Sequence, residues 1–233
     1  MSRIGIIAAL PGEVSMLTRE TVTPGKPINC GRLIVCAAGI GAANAQQASR
    51  LVHRQGAATL VSWGCAGALD PALKAGDFVL ADQVCKLDKI AINTSNDLNN
   101  QLREALSTVT TIHTGMLVQS PTIVTSTRRK QDLFDSTSAI AVDMESYSIG
   151  DYARQHRLPF VTCRAVADTA RTELPKPIIE AMNEQGRIDY RKVLLNTLYQ
   201  PSAIASLVKL GIHFNKARTT LSGVANTLAN TIH

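Results

Sequence analysis

The chain has 233 residues, of which 45% are hydrophobic, 18% charged and only 4% aromatic, enough apolar material for one sizeable core and too much for a disordered or fibrous protein. Its formal charge of +6 is uneven: no acid follows Asp189, while Arg191, Lys192, Lys209, Lys216 and Arg218 do, so a nearly neutral body carries a basic tail. The five cysteines form no CxxC and no Cys/His pairing, and the five histidines are isolated, which excludes a metal framework read from spacing and points to buried thiols in a reducing compartment.

Arg3 to Leu10 is an apolar run of the kind found in a strand buried on both faces, too short to cross a bilayer and followed at once by an acid, unlike a signal peptide. Pro11 and Gly12 end it, and Glu13 opens a helix expected to reach about Arg19. Thr21 to Arg32 reads as a hairpin or loop, leading to a strand from Leu33 to Ala38. The turn at Gly39 to Gly41 then enters a helix over Ala42–Arg54, an arrangement that aims backbone N–H groups at an anion or a ribose.

A strand over Ala58–Trp63 is expected to empty into a small-residue turn, Gly64 to Ala68, where the backbone can approach a ligand closely. Gly76 and Asp77 turn into a further strand ending near Asp82, a short polar connection follows, and Leu98 to Leu106 forms a helix. Thr111 to Leu117 is a strand, and Val118 to Ser126 is apolar with Ser and Thr. Thr127 to Phe134 begins a charged helix whose Arg128, Arg129 and Lys130 are expected to be solvated.

The stretch Ala139 to Arg171 delivers Asp143, Met144 and Glu145 from one strand and, after an amphipathic helix, Arg164 and Asp168 from a second. Acids released at strand ends sit where open α/β sheets build ligand sites. A helix near Ile178 to Asn183 follows, then helices over Tyr190–Tyr199 and from Ser202 to about Ile232. In the last, Leu207, Leu210, Phe214, Leu221, Val224 and Leu228 recur on one face. The alternation of strands and helices predicts one α/β domain over residues 1–233, a three-layer α/β/α with a central mixed, twisted sheet, in which 190–233 is a basic amphipathic helical extension.

Taken together, GIIAALPGEV, AAGIGAANA, WGCAGALDPALKAGDFVLADQV and AVDMESYSIGDYARQHRLPFVTCRAVAD resemble the nucleoside phosphorylase and nucleosidase superfamily, especially the methylthioadenosine/S-adenosylhomocysteine nucleosidases. The tail, EQGRIDYRKVLLNTLYQPSAIASLVKLG, is similar to that of the hopanoid-associated phosphorylases. The resemblance implies an enzyme that cleaves the N-glycosidic bond of a 5′-substituted adenosine. The substrate expected from it is adenosylhopane, with methylthioadenosine or S-adenosylhomocysteine as the alternative.

In that reading Asp168 protonates purine N7, Glu145 holds the ribose hydroxyls, Met144 packs on the sugar, and Ile123 and Val124 line the base pocket. Glu13 matches the acid that activates water. Gly41, Cys65 and Arg164 are instead candidates for holding phosphate, so hydrolysis and phosphorolysis both stay open. Three positions depart from the family pattern: Cys65 and Ala167 each replace a serine, and Arg171 replaces a second acid. The first two departures, Cys65 and Ala167, leave room for a nucleoside-binding or sensor protein whose catalysis has been lost.

The segment Cys85 to Asp97 is shorter than in the nucleosidases, which implies a more open pocket for the 5′ group. No cofactor is expected beyond phosphate as a co-substrate, and no metal. Expected partners are a small-molecule nucleoside and further copies of the chain. The expected location is cytoplasmic, with peripheral contact at the inner membrane surface through the C-terminal helices. Nucleic acid is not expected, because the tail lacks aromatic interleaving.

Overall fold

In a computed structural model, which describes residues 2–88, 90–181 and 204–231, the apolar runs become the inner strands of an 11-stranded mixed sheet. The first half of the chain forms β1 (Arg3–Ala8), α1 (Pro11–Val14), β2 (Ile28–Cys30), β3 (Leu33–Ala37), α2 (Ala42–Arg54), β4 (Ala57–Ala68), β5 (Phe78–Val79), β6 (Gln83–Cys85), β7 (Ala91–Asn93) and α3 (Asn96–Leu106). The second half forms β8 (Ile112–His113), β9 (Met116–Gln119), α4 (Thr127–Thr137), β10 (Ala141–Asp143), α5 (Ser146–Gln155), β11 (Phe160–Asp168), α6 (Lys176–Glu180) and α7 (Ile204–Thr231).

β4 is the pivot. β1 lies parallel along one side, with Gly5 opposite Leu60, and β11 lies parallel along the other, with Val161 opposite Val61. Where β1 has run out, β10 takes its place and pairs antiparallel with the end of β4, Val142 opposite Gly67. β10 continues through β9 and β6 to β7, while β3 and β2 extend the sheet beyond β1, and β5 and β8 extend it beyond β11. The carboxyl ends of β1, β4 and β11 thus converge beside β10.

Period-two alternation sends Ile4, Ile6 and Ala8 of β1 into the core under α3 and α7, and Ile7 into the core under α2 and α5. The helices answer with buried stripes: Ala45, Ala48 and Val52 of α2, Leu98, Leu102 and Leu106 of α3, Leu221, Val224 and Leu228 of α7. Each fully buried Val, Leu or Ile is worth about 1.5–3 kcal/mol. The result is the expected three-layer α/β/α arrangement, with a third, smaller cluster in which α4 packs Leu133 near Val118 and Val142.

The structure also departs from the sequence reading. α1 stops at Val14 rather than near Arg19, and Met16 and Leu17 pack on the core from beyond its end. Gly64 to Ala68 continue β4 instead of turning out of it, since β11 and β10 supply ladder partners along them. The polar connection after Asp82 holds the β6–β7 hairpin, and the strand expected over 111–117 is two, β8 and β9. Lys130, expected in solvent, is 1% exposed, whereas Arg128 and Arg129 are exposed. Of the predicted tail face, Leu221, Val224 and Leu228 are buried but Phe214 is 43% exposed, because only the second half of α7 lies on the body of the fold. The helix expected over Tyr190–Tyr199 lies outside the described residues.

Candidate active site

Glu13 reaches the site because β1 ends at Ala8 and the Pro11 turn brings the chain back beside β4. Its carboxylate, 5% exposed as a residue, accepts two backbone N–H groups, from Cys65 at Oε1 (2.8 Å) and from Leu10 at Oε2 (2.9 Å). The Trp63 indole donates to the Glu13 carbonyl (2.9 Å). Gly64 makes this packing achievable: its φ is +138°, and a Cβ there would stand 2.5 Å from Glu13 Oε1. Burial raises the Glu13 pKa above its ordinary 4.5, against the opposing pull of Arg164 and the amides.

Glu145 follows β10 and opens α5. Its Oε1 accepts the Gly41 N–H (2.8 Å), so the small-residue turn before α2 clamps this carboxylate, and Met144 N–H lies 3.3 Å from Oε2. Burial first, and then the neighbouring Asp143 charge, raise the Glu145 pKa.

Beneath these acids is a closed polar network. Arg164 of β11 pairs with Asp143 (2.7 Å), and each side chain is 1% exposed. Its guanidinium also donates to Ser62 Oγ (2.6 Å), Ser146 Oγ (3.1 Å) and the Trp63 carbonyl (3.1 Å), while Ser146 Oγ donates to Asp143. Arg164 therefore ties β4, β10 and β11 together, with its donors already engaged.

Asp168 ends β11 after a register shift against β4, beside Gly67, where a Cβ would stand 3.2 Å from Asp168 Oδ1. Its Oδ2 is paired with the Lys130 ammonium, which also donates to the carbonyls of Thr169 (2.7 Å) and Thr172 (2.9 Å). Burial raises the Asp168 pKa above its ordinary 3.8, and Lys130 opposes that shift.

The acids Glu13, Glu145 and Asp168 line one cavity of about 200 Å³, together with Cys65, Met144, Ile123 and Val124. Two sequence candidates are not in its wall. Arg164 lies under the floor, and Gly41 spends its N–H on Glu145. Ile40 and Thr122 are wall residues that sequence reasoning did not single out, although each adjoins a residue that it did, and Asp143, named at its strand end without a role, borders the wall as well. Burial raises the Cys65 thiol pKa and the Glu13 charge adds to it, so this wall position presents a neutral SH. The wall contains acids and apolar groups, and no Lys or Arg among the described residues. Among those residues no cluster of His, Cys, Asp and Glu could hold a metal. Such an arrangement can accept protons and hydroxyl hydrogen bonds, and can deliver a proton from a mostly buried carboxylic acid.

The family model of the phosphorylase superfamily matches residues 3–196. The 5′-methylthioadenosine/S-adenosylhomocysteine nucleosidase of Staphylococcus aureus is 26% identical over 201 residues, covering 73% of this chain and 88% of that protein. Among solved structures, the corresponding nucleosidase of Neisseria meningitidis in complex with methylthio-immucillin-A superposes with a TM-score of 0.73 at 19% identity, covering 100% of both chains. The futalosine hydrolase of Helicobacter pylori gives 0.73 at 18% identity, covering 99% of this chain and 98% of that one.

Proposed function

The chain belongs to the phosphorylase superfamily, and on that premise we propose that it hydrolyses the N-glycosidic bond of a 5′-substituted adenosine and releases adenine. Asp168 gives its proton to the purine as the bond between C1′ and the base breaks and the electron pair leaves with adenine. Glu145 accepts hydrogen bonds from the ribose hydroxyls, which strengthen as the sugar gains positive charge. Glu13 takes the proton of the water that attacks C1′. A carboxylate whose pKa is raised by burial is a better base near neutral pH than one in solvent.

The observation that carries hydrolysis over phosphorolysis is the charge of the wall. A phosphate dianion would face Glu13, Glu145 and Asp168 with no Lys or Arg among the lining residues, and the nearby Arg164 is engaged by Asp143 and two serines. The test is adenine release from a panel of 5′-substituted adenosines in phosphate-free buffer and with phosphate added. Turnover without phosphate, unchanged by adding it, is expected; a strict phosphate requirement would reverse the assignment. Tight nucleoside binding with no adenine released would favour the weakened, binding-only reading.

For the 5′ substituent the proposal is an apolar group, with adenosylhopane the first substrate to try and methylthioadenosine and S-adenosylhomocysteine as the comparison. A cavity of about 200 Å³ is smaller than the roughly 300–1,000 Å³ that encloses a drug-sized ligand, so a nucleoside fills it and a bulky 5′ group stays at the mouth. Peripheral membrane contact belongs to the same proposal. Ile204, Val208 and Ile212 form an i, i+4, i+8 stripe on α7, all at least half exposed, with Lys209, Lys216 and Arg218 on the same helix. No described helix is long and apolar enough to span a bilayer. Co-sedimentation with anionic vesicles, lost in Val208→Glu, is the measurement that tests it.

A further inference from the structure

A lysine with 1% exposure is costly unless its charge is matched. Lys130 is matched on three sides, since the three N–H donors of an ammonium meet Asp168 Oδ2 and the carbonyls of Thr169 and Thr172. Two of those acceptors belong to the turn that follows β11. The same turn is tied to the start of α4 by Leu174 N–H donating to the Thr125 carbonyl (3.0 Å) and by Thr127 Oγ1 reaching Glu173 (3.3 Å). The ammonium is therefore held in place by backbone, whatever Asp168 does.

The pair is lopsided. Lys130 is sealed, but the Asp168 side chain is 17% exposed where it lines the cavity, whereas the side chains of Arg164 and Asp143 are each 1% exposed even though Asp143 also borders that cavity. A pair built only for the fold has no need to present one carboxylate to a ligand cavity. Ala167 stands where the family pattern has a serine to orient this acid, and Lys130, from a different helix, makes the bond to the carboxylate here.

We propose that Lys130 is the positioning residue of the proton donor: it fixes Asp168 by Oδ2, turns the other oxygen to the base, and stabilises the carboxylate that forms as the proton leaves. This rests on the reading of Asp168 as the acid. In the step itself the proton passes from Asp168 to a ring nitrogen of the purine, the electron pair of the C1′–N bond goes to the base, and Lys130 keeps its own protons. The charge that appears on Asp168 only in the transition state is thereby matched by one already in position. The other titratable groups that bear on Asp168 are Cys65 of β4, whose thiol is neutral, and His213 of α7, whose pKa burial lowers and whose Nδ1 is buried without a hydrogen-bond partner.

The test is the pH profile of adenine release in Lys130→Gln and Lys130→Arg, beside Asp168→Asn, with folding checked by circular dichroism. Activity needs protonated Asp168 and falls as pH rises through its pKa. Removing the Lys130 charge raises that pKa, so in Lys130→Gln the alkaline limb moves up by about one unit or more. Turnover at the optimum falls roughly ten- to a hundredfold, part of what a general acid contributes. Lys130→Arg keeps the limb near its original position. A folded Lys130→Gln with an unmoved limb overturns the inference. Near-normal turnover in Asp168→Asn overturns the underlying assignment instead. Should neither lysine variant fold, carbon-13 titration of Asp168 in the native protein, identified against Asp168→Asn, is followed with the nitrogen-15 signal of Lys130. The two signals moving at one pH supports the coupling, and independent behaviour removes it.

Discussion

Two buried cation–carboxylate pairs share strand β11, at Arg164 and Asp168, and they are built differently. Arg164 meets Asp143, two serines and a backbone carbonyl in a network whose two charged side chains are each 1% exposed, although Asp143 borders the cavity. Asp168 meets Lys130 on one side and an open cavity on the other. A buried charge whose partners are all protein is a structural tie, and one with an oxygen left toward a cavity is available for chemistry. A register shift between Val166 and Asp168 lies between the two, after which Asp168 pairs with Gly67 at the end of β4.

The widest separation comes from breaking the open pair. Asp168→Asn is expected to lower adenine release by about 10²–10⁴; it also removes the counter-charge of the sealed Lys130, so part of the stability goes with it, and turnover is read at a temperature where thermal unfolding shows the variant folded. The closed pair should show itself in stability first. Arg164→Met leaves Asp143 buried without its cation, and about 3–5 kcal/mol of stability should go, measured by urea unfolding. Substrate binding would then be lost only together with the fold.

A smaller effect follows from the cavity acids as a group. Glu13 and Glu145 have pKa values raised from 4.5, so the folded protein binds more protons than the unfolded one above that pH. Stability should therefore fall as pH rises from about 4.5 through the raised values, in contrast to the gain that paired carboxylates give. Melting temperatures across pH, compared with a Glu13→Gln/Glu145→Gln double variant, should show a flatter curve in the variant. A pair in solvent gives the baseline: Arg103 and Asp82 are 38% and 44% exposed, and Arg103→Ala should change stability by about 0–1 kcal/mol.

What could be read from sequence divides along the same line. Glu13, Glu145 and Asp168 are acids that follow apolar strands, and position alone puts them at the mouth of a sheet. Arg164 also looked like a strand end, but β11 runs to Asp168, so at Arg164 the side chain is still inside the sheet and meets Asp143 instead of a ligand. Gly64 to Ala68 looked like a turn by composition, and only the arrival of β10 and β11 from far along the chain makes them strand. Lys130 carried no local signal, since it is third in a run of basic residues whose first two are exposed. Its partners are 38 residues or more away, and only the packing of α4 against the turn after β11 distinguishes it from Arg128 and Arg129.

The C-terminal helix has one more consequence, for anyone trimming the chain. Thr220 Oγ1 bonds the Gly76 carbonyl (2.6 Å), and Ala217, Leu221, Val224 and Leu228 share a core with Ile6 of β1 and Val161 of β11. The seam between body and tail thus runs through the middle of α7, near Ala217, and not at its first residue. Cutting ahead of Ile204 would take away core residues that cover the sheet along with the exposed stripe, so a variant without the stripe is better sought by replacing Ile204, Val208 and Ile212 in place.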